Sequence, residues 1–380
     1  MSFRKIAFEV HKILGLATGM IVFIVAITGC CWVFRDEFLS LTEEPITIEL
    51  REGEILTASR VREIASGVFP GRTIHGALFG QADAPIEVIF YESDPEFYKS
   101  VLIHPYSGAV LKTEDHLTGF FAFVLKGHMR LWLPREIGEE VVGVSILIFL
   151  SMLVSGIIIW MPRKRKNLKQ RLTFSWKGTT KWKRKNFDLH AVTGFYICAL
   201  AFIIAFTGSV MSYQWLREAV HVAAGGKKSV EFQIPENVTP VHGTESDRAI
   251  DGLLPLLRRD SPDAVSFELH YPYSEAYSIY VETSYQDGIY YTNDYRFFDA
   301  QTLEEIESPS VYGTYRNTSF ADKIIRMNYD IHVGAIGGLP GKIIAFLISL
   351  LVATLPITGV LMWYGRTFKK SAKKVQVPAQ

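Results

Sequence analysis

Long apolar runs alternate with polar stretches along this chain, and four of the runs lack charged residues over a long distance. They cover about residues 13–34, 141–161, 191–216 and 343–364. Each reaches the roughly 20 apolar residues that a helix needs to cross the hydrocarbon layer of a bilayer. The first run is too long for the core of a signal peptide, and no small-x-small cleavage site follows it. The pattern therefore predicts four transmembrane helices.

The segments between the first and second runs, and between the third and fourth, have a different pattern. Amphipathic helices are predicted at 57–69 and 246–258. Alternation typical of strands follows each helix, at 86–91, 98–104, 265–271, 276–283 and 289–299. Further apolar helical stretches, 116–132 and 319–333, then lead into the returning runs. Each segment is thus predicted to be one helix, a small antiparallel sheet and a juxtamembrane helix.

The order of these elements is the same in two halves of the chain, about 1–165 and 180–370. We therefore expect an α-helical membrane protein built from two duplicated halves, each with a small α+β module outside the membrane. The predicted divisions are transmembrane helix 1 (1–38), module 1 (39–115), the juxtamembrane helix with transmembrane helix 2 (116–165), a basic loop (166–189), transmembrane helix 3 (190–217), module 2 (218–310), and the juxtamembrane helix with transmembrane helix 4 and a tail (311–380).

Charge is segregated along the chain although the net charge is only +1. Residues 1–12, 161–190 and 365–380 hold nineteen of the 40 basic residues and only two acids, Glu9 and Asp188. The positive-inside rule then places both termini and the loop at 162–189 in the cytoplasm. The two α+β modules are expected in the periplasm of a bacterium, with the helices in its inner membrane. The charge follows this topology and no basic groove for nucleic acid is apparent. Two roles are open for the basic loop at 162–189. It orients the protein by contact with anionic lipid headgroups, or it is a docking site for an electron donor.

Two stretches at the start of the first and third runs have identical spacing. Gly15 follows His11 by four residues, as Gly194 follows His190. Each run closes with a Thr-Gly pair eighteen residues after its histidine, at Gly29 and Gly208. A second histidine pair, His128 and His332, ends the two juxtamembrane helices, and each precedes a Leu-Pro. The predicted topology puts His11 and His190 at the cytoplasmic face and His128 and His332 at the periplasmic face.

Imidazole is a good axial ligand for haem iron, and two imidazoles from facing helices give six-coordinate iron. Glycine on the same helix face leaves room for the flat porphyrin. No C-x-x-C-H motif is present, so such a haem would be bound without covalent attachment. Small-residue faces also serve plain helix packing. A structural zinc ion is a weaker alternative because nothing supplies a compact tetrahedral set. The remaining histidines (His75, His104, His116, His221, His242 and His270) have no duplicated partner and are expected to be exposed or locally hydrogen-bonded.

The order of these motifs resembles that of the PepSY-associated transmembrane family of bacterial inner-membrane proteins. The resemblance rests on His11-x-x-x-Gly15, Thr28-Gly29, Leu189-His190-x-x-x-Gly194, Ile331-His332-x-Gly334 and the turn His104-Pro-Tyr-Ser-Gly108. In the family that turn usually reads Asp-Pro-x-Thr-Gly, so His104 and Ser107 are departures. The chain is most similar to the ferric-siderophore reductases of the ferrioxamine type.

This resemblance implies an oxidoreductase with two non-covalent, bis-histidine haems b. His11 and His190 would hold one haem and His128 and His332 the other, with Gly15, Gly194, Gly29 and Gly208 as neighbouring glycines. The implied reaction passes electrons across the membrane to a ferric siderophore in the periplasm and releases Fe(II) during iron uptake. The chain has no nucleotide-binding motif of its own, so the donor is external, either a quinol or a cytoplasmic reductase.

Two other functions fit part of the pattern. A non-enzymatic sensor or peptidase-regulating protein would use the four helices only as an anchor and would contain no pigment. A permease for the iron chelate is less compatible, since the runs carry no charged or broken segment at their centres.

Overall fold

The computed structural model describes residues 2–50, 53–162, 164, 166, 168–238, 244–272 and 274–371. Its helices are α1 (Phe3–Trp32), α2 (Arg35–Thr42), α3 (Ala58–Val68), α4 (Gly119–Arg130), α5 (Arg135–Trp160), α6 (Leu168–Leu172), α7 (Trp182–Ser212), α8 (Gln214–Ala223), α9 (Thr244–Asp260), α10 (Phe320–Arg326), α11 (Asn328–His332) and α12 (Gly338–Ser371). Its strands are β1 (Ile74–Phe79), β2 (Ile86–Ser93), β3 (Glu96–Ile103), β4 (Val110–Asp115), β5 (Ser266–His270), β6 (Ile279–Ser284), β7 (Asp294–Phe298) and β8 (Glu305–Ile306).

Four described helices, α1, α5, α7 and α12, are long and apolar enough to cross a membrane. They cover most of each predicted apolar run, so the prediction of a multi-pass helical membrane protein is confirmed. Several threonine and serine hydroxyls inside these helices donate to backbone carbonyls of the preceding turn. The Thr28 hydroxyl, for example, donates to the Ile24 carbonyl at 2.7 Å. Such back-bonding avoids an unpaired polar group in hydrocarbon.

The four long helices pack as a closed bundle. Both α1 and α7 pack against α5 and against α12, which makes α1 and α7 opposite members of the bundle. The middle of the bundle is apolar, with side chains from all four helices, including Val22, Phe149, Ala201 and Val352. The bundle belongs to a compact unit formed by Met1–Arg35, Phe123–Gln214 and Ile331–Gln380.

The second compact unit, formed by Asp36–Ala122 and Trp215–Asp330, contains all eight strands. The order in the sheet is β4-β3-β2-β1-β5-β6-β7-β8, and every neighbouring pair is antiparallel. The expectation of one small sheet per module is therefore corrected. Pairing of β1 with β5, with Ala77 opposite Leu269, joins the strands of both segments into one continuous sheet. Such pairing covers two strand edges that separate sheets would leave open.

Helices α3 and α9 cover one face of this sheet, and the hydrophobic core lies between these helices and the strands. Apolar side chains at alternate strand positions point into that core, among them Phe79, Phe90 and Leu269, and they meet Val61 of α3 and Leu257 of α9. Since the period of a strand is two, the intervening residues lie on the other face of the sheet. That face carries polar and aromatic side chains.

We expect Phe79→Ala to lower the free energy of unfolding of the sheet unit by about 3–5 kcal/mol, because its ring is only 1% exposed between strands of both segments. Urea unfolding followed by tyrosine fluorescence measures this change, because most of the tyrosines lie in this unit. Val110→Ala, at a side chain 44% exposed, is the control and should change stability by less than about 0.5 kcal/mol. Equal effects of the two substitutions would contradict the joint core.

Candidate cofactor-binding site

The first histidine pair lies inside the helix bundle. His11 of α1 and His190 of α7 face each other with ring centroids 6.3 Å apart and ring planes at 88°. An ion held at about 2 Å by one nitrogen of each ring separates two ring centres by roughly 6 Å. The opposite positions of α1 and α7 in the bundle therefore bring the rings to the spacing of two axial ligands.

The second pair has nearly the same separation. His128 at the end of α4 and His332 at the end of α11 have ring centroids 6.2 Å apart, with ring planes at 62°. The structure thus brings together the members of each pair that the sequence analysis grouped. On α1, the first site is marked by His11 and the second by Gly29, which packs against His128. These two positions are eighteen residues apart, or about 27 Å at 1.5 Å per residue.

Hydroxyl groups hold the rings of the first pair through Nδ1. Ser155 Oγ lies 3.0 Å from Nδ1 of His11. Thr358 Oγ1 lies 2.9 Å from Nδ1 of His190, and the Leu355 carbonyl accepts from the same nitrogen at 3.1 Å. A carbonyl can only accept, so Nδ1 of His190 carries the proton and Nε2 has a free lone pair.

The second pair is held in the same manner. The Val25 carbonyl accepts from Nδ1 of His128 at 2.9 Å, and Thr28 Oγ1 lies 3.4 Å from that nitrogen. The Ile204 carbonyl accepts from Nδ1 of His332 at 2.9 Å, with Thr207 Oγ1 at 3.2 Å. This is the arrangement that fixes the tautomer of metal-bound imidazoles, because the outer hydrogen bond orients the ring and leaves Nε2 for the metal.

Each of the four hydroxyls is followed in sequence by a glycine that packs on the histidine it serves. A Cβ atom on the glycine would lie 3.0–3.6 Å from Cε1 of the ring, at Gly156 against His11, Gly359 against His190, Gly29 against His128 and Gly208 against His332. Gly29 and Gly208 are predicted to make room for a flat cofactor. In the structure all four glycines admit the imidazole edge to the acceptors behind it.

A cavity of about 350 Å³ adjoins the first pair. Gly15 and Gly194, the glycines four residues after the histidines, line it together with many apolar side chains. Three cationic residues, Lys12, Arg171 and Arg366, also line the cavity. A broad apolar group that carries carboxylates matches such a lining, because guanidinium groups form paired hydrogen bonds with carboxylates.

Unusual backbone conformations follow the two histidines of the second pair. Leu131 and Trp132 both have positive φ, at 53° and 59°, and the Trp132 ring stacks on Phe123 and packs against Gly127. After His332, Gly334 adopts φ of 78°, and a Cβ there would collide with the Gly341 carbonyl. Positive φ in non-glycine residues costs free energy and persists where surrounding contacts enforce it. These turns fix the direction in which α4 and α11 end.

The five remaining histidines that the structure describes have hydrogen-bond or ring contacts, and two of them, His221 and His270, are buried. His104 accepts the Tyr106 amide at 3.2 Å, and His116 lies 3.0 Å from Ser100 Oγ. His221 is buried and contacts Asp322 at 2.8 Å, while His270 is buried beside His75. His242 lies outside the described residues. Sequence spacing could not reveal these contacts because the partners are up to 195 residues away, as in the bond from His270 to the His75 carbonyl.

Burial also perturbs ionisation on the polar face of the sheet. It raises the pKa of Glu268 to about 8, with the Glu282 and Glu87 carboxylates adding to the effect. It lowers the pKa of His270 to about 3, to which the neighbouring His75 contributes. Both side chains are therefore held largely uncharged at neutral pH.

The bundle and its two histidine pairs define a multi-pass α-helical membrane protein with two candidate bis-imidazole sites. A family model, described as the PepSY-associated TM region, matches residues 8–366. The chain therefore belongs to the PepSY-associated transmembrane family. No curated protein matches the chain.

Substitution of Gly208 tests the role of the glycine beside a histidine. We expect Gly208→Val to displace the His332 ring, because its Cβ would lie 3.0 Å from Cε1 and the branched methyl groups need further room. If each candidate bis-imidazole site holds one chromophore, the variant should lose one of two per chain, measured by absorbance against protein concentration. The control is Gly67→Val, at a glycine with no atom within 4 Å of an added Cβ. An unchanged chromophore content in Gly208→Val would contradict the assigned role.

Proposed function

We propose that this protein is a di-haem reductase of the bacterial inner membrane that passes electrons to ferric siderophores in the periplasm. His11 and His190 would hold one haem b and His128 and His332 the other, without covalent attachment. The observation that carries the proposal is the pair of ring separations, 6.3 and 6.2 Å, in rings whose Nδ1 atoms are all hydrogen-bonded.

The residues present fit this group in three respects. Among the described residues, no hydrogen bond involves Nε2 of any of the four histidines, so each has a nitrogen to donate to iron. The cavity beside the first pair is lined by apolar groups and by the cations Lys12, Arg171 and Arg366, which suit a macrocycle with two propionates. Zinc would need two further ligands per pair to complete a tetrahedral set.

Bound haem would supply one-electron redox chemistry near each face of the membrane. The protein's own contribution is to orient the imidazoles, keep Nδ1 protonated and exclude water. The apolar middle of the bundle, with Val22, Phe149, Ala201 and Val352, separates the two histidine pairs. Axial ligand, outer hydrogen bond and burial are the properties by which a protein sets a haem potential.

The substrate class follows from the resemblance of the motifs to siderophore reductases. One electron reduces chelated Fe(III) to Fe(II), and the hard oxygen ligands of a siderophore bind Fe(II) far less tightly, so iron is released. The electron comes from an external quinol or cytoplasmic reductase. The proposal includes cytoplasmic termini, as the basic residues near them indicate. It also includes descent from two duplicated halves, which the equivalent surroundings of His11 and His190, and of His128 and His332, support.

The histidine pairing leads to a quantitative expectation. His11→Ala and His128→Ala should each remove about one haem of two, because each substitution removes one ligand from a different pair. Haem is counted as the pyridine complex per mole of purified protein. His104→Asp is the control, since Asp keeps an acceptor for the turn amides and restores the residue usual in the family. Loss of both haems, or of neither, would contradict the pairing.

Vectorial iron reduction tests the proposed reaction itself. Vesicles that contain the protein and a trapped impermeant reductant should convert external ferric hydroxamate to Fe(II), followed with a chromogenic Fe(II) chelator. The rate should fall to that of protein-free vesicles in His190→Ala and in His332→Ala, since each pair is needed. His104→Asp should reduce iron as the native protein does. A haem-containing protein that reduces no chelate above the protein-free rate would overturn the assignment of substrate.

A further inference from the structure

Three potential metal ligands meet on the polar face of the sheet, in the unit formed by Asp36–Ala122 and Trp215–Asp330. They are His75, Glu268 and His270, and one ligand atom of each lies within 4.8 Å of the others. Their sequence pattern predicts only exposure or local hydrogen bonding for His75 and His270. The cluster is separate in sequence and in structural unit from the histidine pairs of the bundle.

Local strand geometry puts the three side chains on one face. Glu268 and His270 alternate on β5 with the core residues Phe267 and Leu269, so both point away from the core. A β-bulge between Ile74 and Gly76 leaves His75 as the extra residue of β1. A bulge re-aims a side chain. Here the His75 and His270 rings lie 4.8 Å apart, at 87° to each other.

Gly76 provides space for two of the ligands. A Cβ atom there would lie 3.1 Å from His270 Nδ1 and 3.2 Å from Glu268 Oε1. On its other side the His270 ring stacks on Tyr280, with centroids 4.3 Å apart. The carboxylate and the imidazole are thus packed into defined positions, which a preorganised site requires.

The Nε2 atom of His270 has no hydrogen-bond partner among the described residues. His270 is 7% exposed and donates from Nδ1 to the His75 carbonyl at 2.9 Å. Its Nε2 is buried and forms no hydrogen bond with any residue in the described ranges; Glu268 Oε1 lies 3.4 Å away without hydrogen-bond geometry. A buried polar atom without a partner requires an explanation, because it costs free energy to desolvate. The outer hydrogen bond on Nδ1 is again that of a metal-bound imidazole.

Carboxylates around the cluster favour a cation. Glu282 lies directly opposite Glu268 on β6, and Glu87 faces the same side two strands away, across Leu78. Ionised carboxylates placed opposite each other in a sheet would repel, and a bound cation would remove that repulsion. The Glu268 side chain is 24% exposed, which leaves a path from solvent to the cluster.

We infer that His75, Glu268 and His270 form a binding site for a first-row divalent transition-metal ion. Two imidazoles and one carboxylate are the ligand set of three-residue zinc sites, in which a water or another ligand takes the fourth position. The same set also accepts Fe(II) and Co(II). The inference does not rest on the proposed reductase function.

Zinc binding to the full-length protein tests this site. The protein is purified in detergent with an affinity tag that lacks histidine, stripped with a chelator, and titrated with Zn²⁺ against a colorimetric chelator. We expect one tight site per chain. His270→Ala should abolish it, and the isosteric Glu268→Gln should weaken it by about 100-fold or more, since loss of a ligand costs more than the 10–100-fold typical of outer-shell partners. X-ray absorption at the zinc edge should count two imidazoles in the native protein.

Two control variants distinguish this site from other histidines. His116→Ala removes a ligand of the neighbouring cluster Glu87, Glu114 and His116, and His190→Ala removes one from the bundle. Both should retain the tight site. Circular dichroism of every variant reports folding independently of zinc. Tight binding that survives His270→Ala, binding lost in His116→Ala or His190→Ala, or no binding by the native protein would each overturn the inference.

Discussion

The bundle depends on how an imidazole is accommodated within an apolar set of helices. A buried ring has two nitrogens that need partners, and hydrocarbon supplies none. Each of the four histidines meets a hydroxyl-glycine step on a neighbouring helix, as His190 meets Thr358 and Gly359. The hydroxyl lies within hydrogen-bond distance of Nδ1. At His190, His128 and His332 a backbone carbonyl one turn earlier also accepts from Nδ1. The glycine lets the ring approach closely enough to reach them.

This constraint accounts for the remaining geometry of the bundle. With Nδ1 occupied, Nε2 of each ring has no hydrogen bond to any described residue, and the opposite positions of α1 and α7 set the 6.3 Å separation of the first pair. At the second pair, the histidines lie near the ends of α4 and α11. The positive-φ residues after them, Leu131, Trp132 and Gly334, turn the chain at once into the next helix. Glycine-to-ring packing then acts at Gly29 and Gly208 as it does at Gly156 and Gly359.

Much of this arrangement was predictable from the sequence because it repeats. The four spans follow from apolar length, and repeated spacing singled out His11, His190, His128 and His332. The Thr-Gly pairs were also visible, but their hydroxyls had no assigned role, since a back-bonded threonine in a helix is ordinary. The joint sheet was not predictable, because pairing of β1 with β5 links residues nearly 200 positions apart and the short alternation of β1 is interrupted by a bulge. Because the bulge changes which face His75 lies on, the cluster around His75 was not predictable from strand alternation either.

The axial ligands are the central claim, and electron paramagnetic resonance of the oxidised protein tests them most directly. Two bis-imidazole haems should give two low-spin ferric signals and no high-spin signal, because both axial positions are filled by strong nitrogen ligands. The near-perpendicular rings of His11 and His190 should give the more anisotropic signal of the two. His190→Ala should abolish that signal and leave the other. A high-spin spectrum, a single low-spin species in the native protein, or no iron signal at all would contradict the account.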